Sequence, residues 1–151
     1  VASIAAMIQQ LREFGLSQKV VSNGASDSPQ LIELIGDASE GMQIVTPPTT
    51  SPNEQQFSNF VSSFEGLHGE AQSAIIWAAF AYDAVGVLAE AIAEVGTDGE
   101  AIRDYFYGVD GYKGVSGTFS FDENGDATGI PIVLKESRDG ERIEVRPMSM
   151  Q

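Results

Sequence analysis

Cysteine is absent from this 151-residue chain, histidine occurs once, and basic residues are few. Without cysteine the chain can form no disulfide, no zinc–thiolate site and no thiol nucleophile. Only 8 lysines and arginines stand against 22 aspartates and glutamates, which gives a formal net charge of −14. Nucleic acids and anionic membrane surfaces are bound through clustered basic residues, so this balance excludes both as partners.

The sequence also lacks the residue sets that catalysis and cofactor binding use. It contains no G-x-x-x-x-G-K loop and no G-x-G-x-x-G turn after a strand. The single histidine, His68, stands in a glycine-rich stretch predicted as a loop, where no rigid triad can hold it. Asp122–Asp126 is similar to the start of a calcium loop, but Ala127 and Val133 occupy the positions that need glycine and a carboxylate. We therefore expect a polar hairpin turn there, and no catalytic residues, metal site or cofactor.

Length and apolar content bound the architecture. With 42% hydrophobic residues the chain can bury a core, and 151 residues fit one domain or pieces of two. The chain begins at Val1 without the basic segment and cleavage site of a leader peptide. A signal peptide, if the protein has one, lies upstream of this chain.

The first third of the chain alternates helical and strand patterns. The predicted elements are a helix capped by Ser3 that runs to about Phe14, a strand at 19–22, a loop at 23–27, a helix opened by Ser28-Pro29 and ended by Gly36, and a strand at 42–45. Short, nearly all-apolar strands that alternate with helices predict an α/β fold with a parallel sheet.

The middle of the chain begins with a break. Segment 46–53 holds three prolines, which fit neither a helix nor a central strand, and is predicted as a crossover. An amphipathic helix follows, with Phe57, Phe60, Val61 and Phe64 on one stripe that we interpret as core packing. The next helix is predicted from Ala71 to Val95. It is apolar on most sides, and we expect a core helix covered on several faces, since its carboxylates would be costly in lipid.

The last part of the chain changes to strands. Thr97 is predicted to cap a short helix before them. Asn124-Gly125 is a strong hairpin signal, flanked by predicted strands at 118–121 and 130–134. A last strand is predicted near 142–146. Half of the basic residues lie between Lys135 and Arg146, so this tail differs in charge from the rest.

Four segments, taken in order, resemble one known family. They are Ile8–Leu16, Ile35–Gly41, the helix motif Ala81–Val85 and the stretch Gly114–Asp126. Their succession is similar to the C-terminal part of the type I periplasmic binding proteins, in particular the branched-chain (Leu/Ile/Val) amino-acid-binding proteins of ABC importers. The resemblance implies two α/β lobes joined by crossover strands, with the solute held in the cleft between them.

This resemblance implies a division of the chain. Residues 1–45 would be part of the second, C-terminal lobe, 46–53 a hinge crossover, 54–134 the C-terminal half of the first lobe, and 135–151 a tail that crosses back toward the second lobe. The first half or more of the family's chain is missing, so an incomplete C-terminal fragment is expected. Such a fragment would leave helices uncovered, and we expect it to dimerise or swap segments.

Two places are candidate solute contacts. The loop Asn23–Asp27 follows a predicted parallel strand, and open α/β sheets bind ligands at the carboxyl ends of their strands. From its own surroundings, Trp77 would be assigned to the core. The resemblance instead implies a pocket aromatic five residues before Tyr82, which is Trp77. It also implies an acidic partner for the ligand ammonium in the loop, where this chain has Asn23, Gly24 and Ala25, with Asp27 just beyond.

The resemblance implies a substrate-binding subunit of a bacterial ABC importer. It would capture a small amphipathic solute, a branched-chain or related amino acid, by hinge closure, and deliver it to a membrane permease. The protein would be periplasmic, or extracellular with a lipid anchor. A sensor or receptor domain of the same fold, acting in signalling, is the alternative. An enzyme of doubly wound fold lacks a nucleophile, base or metal set.

Overall fold

The computed structural model describes residues 1–70 and 75–148. Its described helices and strands are α1 (Ala2–Glu13), β1 (Val21–Asn23), α2 (Pro29–Ile35), β2 (Gln43–Thr46), α3 (Glu54–His68), α4 (Ile75–Val95), α5 (Gly99–Tyr107), β3 (Tyr112–Lys113), β4 (Thr118–Phe121), β5 (Ala127–Thr128), β6 (Ile132–Arg138) and β7 (Glu141–Met148). Ala71, the predicted start of the long helix, lies outside the described residues.

The chain divides into two compact units. Unit 1 comprises Val1–Pro48 and the chain from Pro131 onward, and unit 2 comprises Thr49–Ile130. One boundary, at Pro48, lies inside the proline-rich segment that was predicted as a crossover. The other, before Pro131, precedes strand β6.

Unit 1 is a sheet with helices packed on it. The strand order is β1-β2-β6-β7, in which β1 and β2 are parallel and the other two pairs are antiparallel. The predicted α/β class is confirmed, but the sheet is parallel only in its first pair. Strand β7 returns beside β6 through a tight turn at Asp139-Gly140, where both residues have positive φ, of 52° and 78°. The parallel sheet was predicted from short apolar runs. The length of such a run does not show whether the strand pairs with a parallel or an antiparallel neighbour.

The core of unit 1 explains the pattern of its first third. Helices α1 and α2 pack together and place their apolar residues on strand β2. The buried cluster consists of Ala5, Ile8, Leu31, Ile35, Met42 and Ile44. Pro29 opens α2 and Gly36 ends it, as predicted.

Two predicted caps were wrong. Helix α1 begins at Ala2, so Ser3 lies inside the helix and no side chain caps its start. Helix α5 is capped by Asp98 rather than Thr97. The Oδ1 atom of Asp98 accepts hydrogen bonds from the backbone N–H groups of Glu100 and Ala101, at 3.1 and 3.0 Å. A carboxylate can accept two such bonds and also complements the positive end of the helix.

The predicted hairpin partner was also wrong. The turn at Asn124-Gly125 joins β4 to the short strand β5, where Ser120 pairs with Thr128. The segment predicted as its partner, 130–134, instead contributes to β6 of unit 1, where it pairs with β2. Pro131, which has no N–H group to donate, separates the two strands.

Only one face of helix α4 packs against the rest of unit 2. Its buried residues recur every three or four positions, as one helical face requires. They are Ile76, Ala79, Asp83, Val87 and Ala91. The expectation of cover on several faces was wrong for the described residues, because large side chains on the other side are exposed. These are Trp77, Tyr82, Val85, Leu88, Ile92 and Val95.

By length and composition, α4 is also the one helix in the described part of the chain that could cross a membrane. The core helix of a soluble protein passes the same test. The carboxylate of Asp83 lies in the middle of α4 and is hydrogen-bonded to Val115 and Ser116 of the same unit, and a carboxylate at that position would be costly in lipid.

The aromatic stripe of α3 packs on this helix. Phe57, Phe60 and Phe64 are half-buried, and the rings of Phe60 and Tyr82 lie 5.2 Å apart. No residue of α3 is buried, so the stripe is a half-buried contact of Phe60 with α4 and not the core packing interpreted from the sequence.

The exposed face of α4 leads to a first prediction. An apolar face of this length is rarely left open in a soluble protein, so the 151-residue chain should self-associate or bind a hydrophobic dye. Val85→Lys, at a residue that is 69% exposed, should reduce both effects. Leu67→Lys, at an 80% exposed position on α3, is the matched control and should change neither. Light scattering and dye fluorescence measure this, and a monomeric chain that binds no dye would contradict it.

Candidate functional site

The loop that follows β1 is shaped by its own polar groups. The Oδ1 atom of Asn23 accepts a hydrogen bond from the backbone N–H of Ala25 at 3.1 Å, which begins a short 3₁₀ turn at Gly24–Ser26. The hydroxyls of Ser22 and Ser26 lie 2.6 Å apart, and Ser26 is fully buried. Since β1 is parallel to β2, the loop lies at the carboxyl end of a parallel pair, where α/β sheets bind ligands.

Asp27 ends this loop in an ion pair with Lys135 of strand β6. Its Oδ2 atom lies 2.6 Å from the Nζ atom of Lys135, and the two side chains are only 17% and 9% exposed. In the described part of the chain, Asp27 Oδ1 accepts no hydrogen bond. Asp27 therefore already has an internal partner, with one carboxylate oxygen left over.

Arg142 of strand β7 holds the residue before Asp27. Its guanidinium donates to the backbone carbonyl of Ser26 at 3.1 Å and to the hydroxyl of Ser137. Its Nε atom is buried and has no hydrogen-bond partner among the described residues. Burial lowers the pKa of Arg142, and the nearby charge of Asp27 opposes that change. Two cations thus lie beside a single carboxylate at this loop.

Sequence reasoning missed Lys135 and Arg142, although it noted the basic tail. The signal lies in the alternation along β6, where Val133, Lys135 and Ser137 are all buried on one face. A lysine at a core-facing strand position needs a carboxylate partner, since an unpaired buried charge is very costly. The next residue, Glu136, points the other way. There a hydrogen bond from Gln43 is the main cause that lowers the pKa of Glu136.

Trp77, the other candidate, belongs to unit 2 and lies on the exposed side of α4. Its side chain is 48% exposed, and its ring meets that of Phe80 edge-on at 5.7 Å. Within unit 2 it is therefore not a core residue. Candidate residues 23–25 and 27 belong to unit 1.

A buried carboxylate in unit 2 explains why the motif at 81–85 accompanies the one at 114–117. Asp83 is 3% exposed and accepts hydrogen bonds from the backbone N–H groups of Val115 and Ser116, both at 2.8 Å. The hydroxyl of Ser116 donates to the same carboxylate. A Cβ on Gly114 would lie 2.3 Å from Asp83 Oδ2, so any larger residue there would have to displace the carboxylate. This contact ties the middle of α4 to the loop before β4.

The other polar candidates, Asp122 and His68, contact residues close to them in sequence. The Oδ1 atom of Asp122 accepts backbone N–H bonds from Asn124 and Asp126, both at 2.9 Å, and these bonds lower the pKa of Asp122. The segment is thus a hydrogen-bonded turn, and no group of three or more metal-ligating side chains occurs in the described residues. His68 is the exposed last residue of α3 rather than part of a loop, with its ring 4.7 Å from that of Phe64.

Comparison with known proteins identifies relatives of this fold. The sequence profile of a family described as periplasmic binding protein matches residues 1–133. A comparison with curated protein sequences finds no match.

Three solved structures illustrate the similarity. The leucine-binding protein LivK from Thermotoga maritima is 28% identical with a TM-score of 0.73, and the match covers 97% of this chain and 42% of that one. LivJ from Streptococcus pneumoniae, solved with isoleucine, is 16% identical with a TM-score of 0.64, over 93% and 41% of the two chains. A branched-chain amino acid ABC transporter protein from Thermus thermophilus with bound valine is 18% identical with a TM-score of 0.59, over 97% and 43%. The chain thus spans less than half the length of these structures.

Proposed function

Because this chain belongs to the periplasmic binding protein family, a family of non-catalytic solute-binding proteins found in the periplasm or outside the cell, we propose that the protein containing it is the substrate-binding subunit of a bacterial ABC importer. The solute is a branched-chain or related amino acid, and the partner is a membrane permease. The observation that carries this proposal is the likeness to a leucine-binding protein over nearly the whole chain, at 28% identity.

The proposed mechanism is closure of two lobes on the solute. An open form predominates without ligand, and contacts from both lobes to the solute shift the population to the closed form. We assign residues 1–45 and the tail to one lobe, 46–53 to a hinge crossover, and 54–134 to the other lobe. The division of the chain at Pro48 supports the first crossing, and the division before Pro131 suggests that the second begins there rather than at 135.

Each unit has its own candidate solute contacts. Asn23, Gly24 and Ala25 offer backbone and amide groups at the end of β1, and Asp27 offers its remaining carboxylate oxygen. Trp77 offers a half-exposed aromatic ring. An apolar side chain and a polar backbone group of an amino acid would match these two kinds of surface.

Calorimetry on the complete protein tests the function. Leucine, isoleucine or valine should bind with a measurable heat, and the permease and ATPase genes should lie beside its gene. Absence of heat with all three amino acids would contradict amino-acid capture. A kinase module or transmembrane segment in the same gene, with no permease gene nearby, would favour the sensor alternative.

Trp77 provides a second prediction. In the complete protein, Trp77→Ala should weaken leucine binding by about 2 kcal/mol, because aromatic anchors carry much of the energy of an apolar pocket. Its fluorescence should also change when the ligand binds, since the indole loses water contact. Tyr107→Ala, at a similarly exposed aromatic residue on α5, is the control and should leave affinity unchanged. Equal affinity in Trp77→Ala and wild type would remove Trp77 from the solute site.

A further inference from the structure

We infer that Lys135 and Arg142 are positioning residues for the loop Asn23–Asp27, so that strands β6 and β7 set the geometry of the solute site. The inference rests on the proposed function, because it takes this loop as a solute contact. It concerns two basic residues of the tail that themselves touch the loop rather than the solute.

The first argument is contact geometry. The loop is held at adjacent residues by two different strands, since Lys135 Nζ meets the carboxylate of Asp27 at 2.6 Å and Arg142 donates to the carbonyl of Ser26 at 3.1 Å. The backbone of the turn itself is short and closed by the bond from Asp27 N–H to the carbonyl of Gly24 at 3.0 Å. Fixing both Ser26 and Asp27 therefore fixes the turn that precedes them.

The second argument is the cost of the arrangement. The Lys135 side chain is 9% exposed at a strand position whose neighbours on that face include the buried Val133. A core position of this kind would be filled at lower cost by an aliphatic residue, because burying a charge requires a partner of good geometry. The ammonium pairs with Asp27 across 108 positions of sequence, so the pair specifies where the loop docks on β6.

The placement of the basic residues also supports the inference. The chain has a net charge of −14 and only 8 basic residues, yet two of them lie inside unit 1 against this one loop. By contrast, Arg138 on the same strand is half-exposed and pairs with Glu136, which is also on β6. Arg138 thus carries the same charge without touching the loop, and serves as a matched control.

Hydrogen–deuterium exchange on the complete protein tests the inference. Lys135→Met and Arg142→Met should each make the loop amides, residues 24–28, exchange about tenfold faster. In each variant the loop can open without first breaking the contact to the substituted side chain. Leucine should bind about tenfold more weakly in the same variants, because a mobile loop must be ordered on binding. Arg138→Met should change neither quantity. The amides of β2 report whether unit 1 remains folded.

The double variant Asp27→Asn/Lys135→Met tests whether faster exchange comes from unfolding of unit 1. It removes both charges of the Asp27–Lys135 pair and leaves only Arg142 without the nearby carboxylate, so unit 1 should stay folded while the loop still exchanges fast. Loop exchange unchanged from wild type in all variants would overturn the anchoring. Faster loop exchange with unchanged leucine affinity would overturn the positioning role. The proposed function, solute binding, would still stand. If wild type binds none of leucine, isoleucine and valine, the proposed function fails instead, and the exchange data alone support or overturn the anchoring.

Discussion

Gly114→Ala should destabilise unit 2 by about 3 kcal/mol, although it adds a single methyl group. The new Cβ would lie 2.3, 2.4 and 2.8 Å from the Oδ2, Cγ and Oδ1 atoms of Asp83. To make room, the carboxylate must leave the backbone N–H groups of Val115 and Ser116, which are then buried without acceptors. Fluorescence of Trp77 during denaturation measures this, since Trp77 is the only tryptophan and lies in unit 2.

A double-mutant cycle identifies the cause. Asp83→Ala alone should also cost about 3 kcal/mol, because it removes a charged acceptor of three hydrogen bonds. The three atoms nearest to the new methyl group all belong to Asp83, so Gly114→Ala should cost much less when Asp83 is already alanine. Gly66→Ala is the control: its Cβ meets nothing within 4 Å, and alanine is the better helix former. Additive losses in the cycle would contradict a direct clash between Gly114 and Asp83.

Local sequence signals predicted the elements of unit 1 well. Pro29 and Gly36 bound helix α2, and helix α1 ends at Glu13, one residue from its predicted end. Such signals depend on residues within one or two turns, which the sequence shows directly. In unit 2, the cap of α5 lies one position later than predicted, at Asp98 and not at Thr97, because both neighbouring residues are of types that cap helices.

Pairing between distant segments could not be predicted in the same way. The strand at Ile132–Arg138 joins β2 rather than the neighbouring hairpin, and nothing local marks that choice. The pair of Asp27 and Lys135 spans 108 positions, so neither residue alone shows that the other is its partner. The tail was recognised as basic, but the role of its charges follows only from which strand lies beside which loop.

Asp27→Asn should destabilise unit 1 by about 3 kcal/mol, because it leaves the ammonium of Lys135 buried without a carboxylate. Lys135→Met should cost somewhat less, since Arg142 remains beside the carboxylate of Asp27. The double variant should regain part of the stability, because Lys135 is no longer buried as an unpaired charge, while Arg142 still lacks the nearby carboxylate. Unit 1 has no tryptophan, so native-state exchange at the amides of β1 and β2 provides the measurement. Additive losses would show that the two side chains are not energetically coupled.

Binding by the complete protein then separates two roles of Asp27. If its Oδ1 atom meets the ammonium of the solute, Asp27→Asn should weaken leucine binding far more than binding of 4-methylpentanoate, which has the same side chain and carboxylate but no ammonium group. We expect the ratio of the two affinities to fall at least about tenfold, since a desolvated ammonium would lose the carboxylate that pairs with it. Lys135→Met should weaken both ligands alike, because it loosens the loop without removing the negative charge. A ratio unchanged by Asp27→Asn would mean that Asp27 only anchors the loop. With the cations of Lys135 and Arg142 beside it, the site would then favour a solute without an ammonium group.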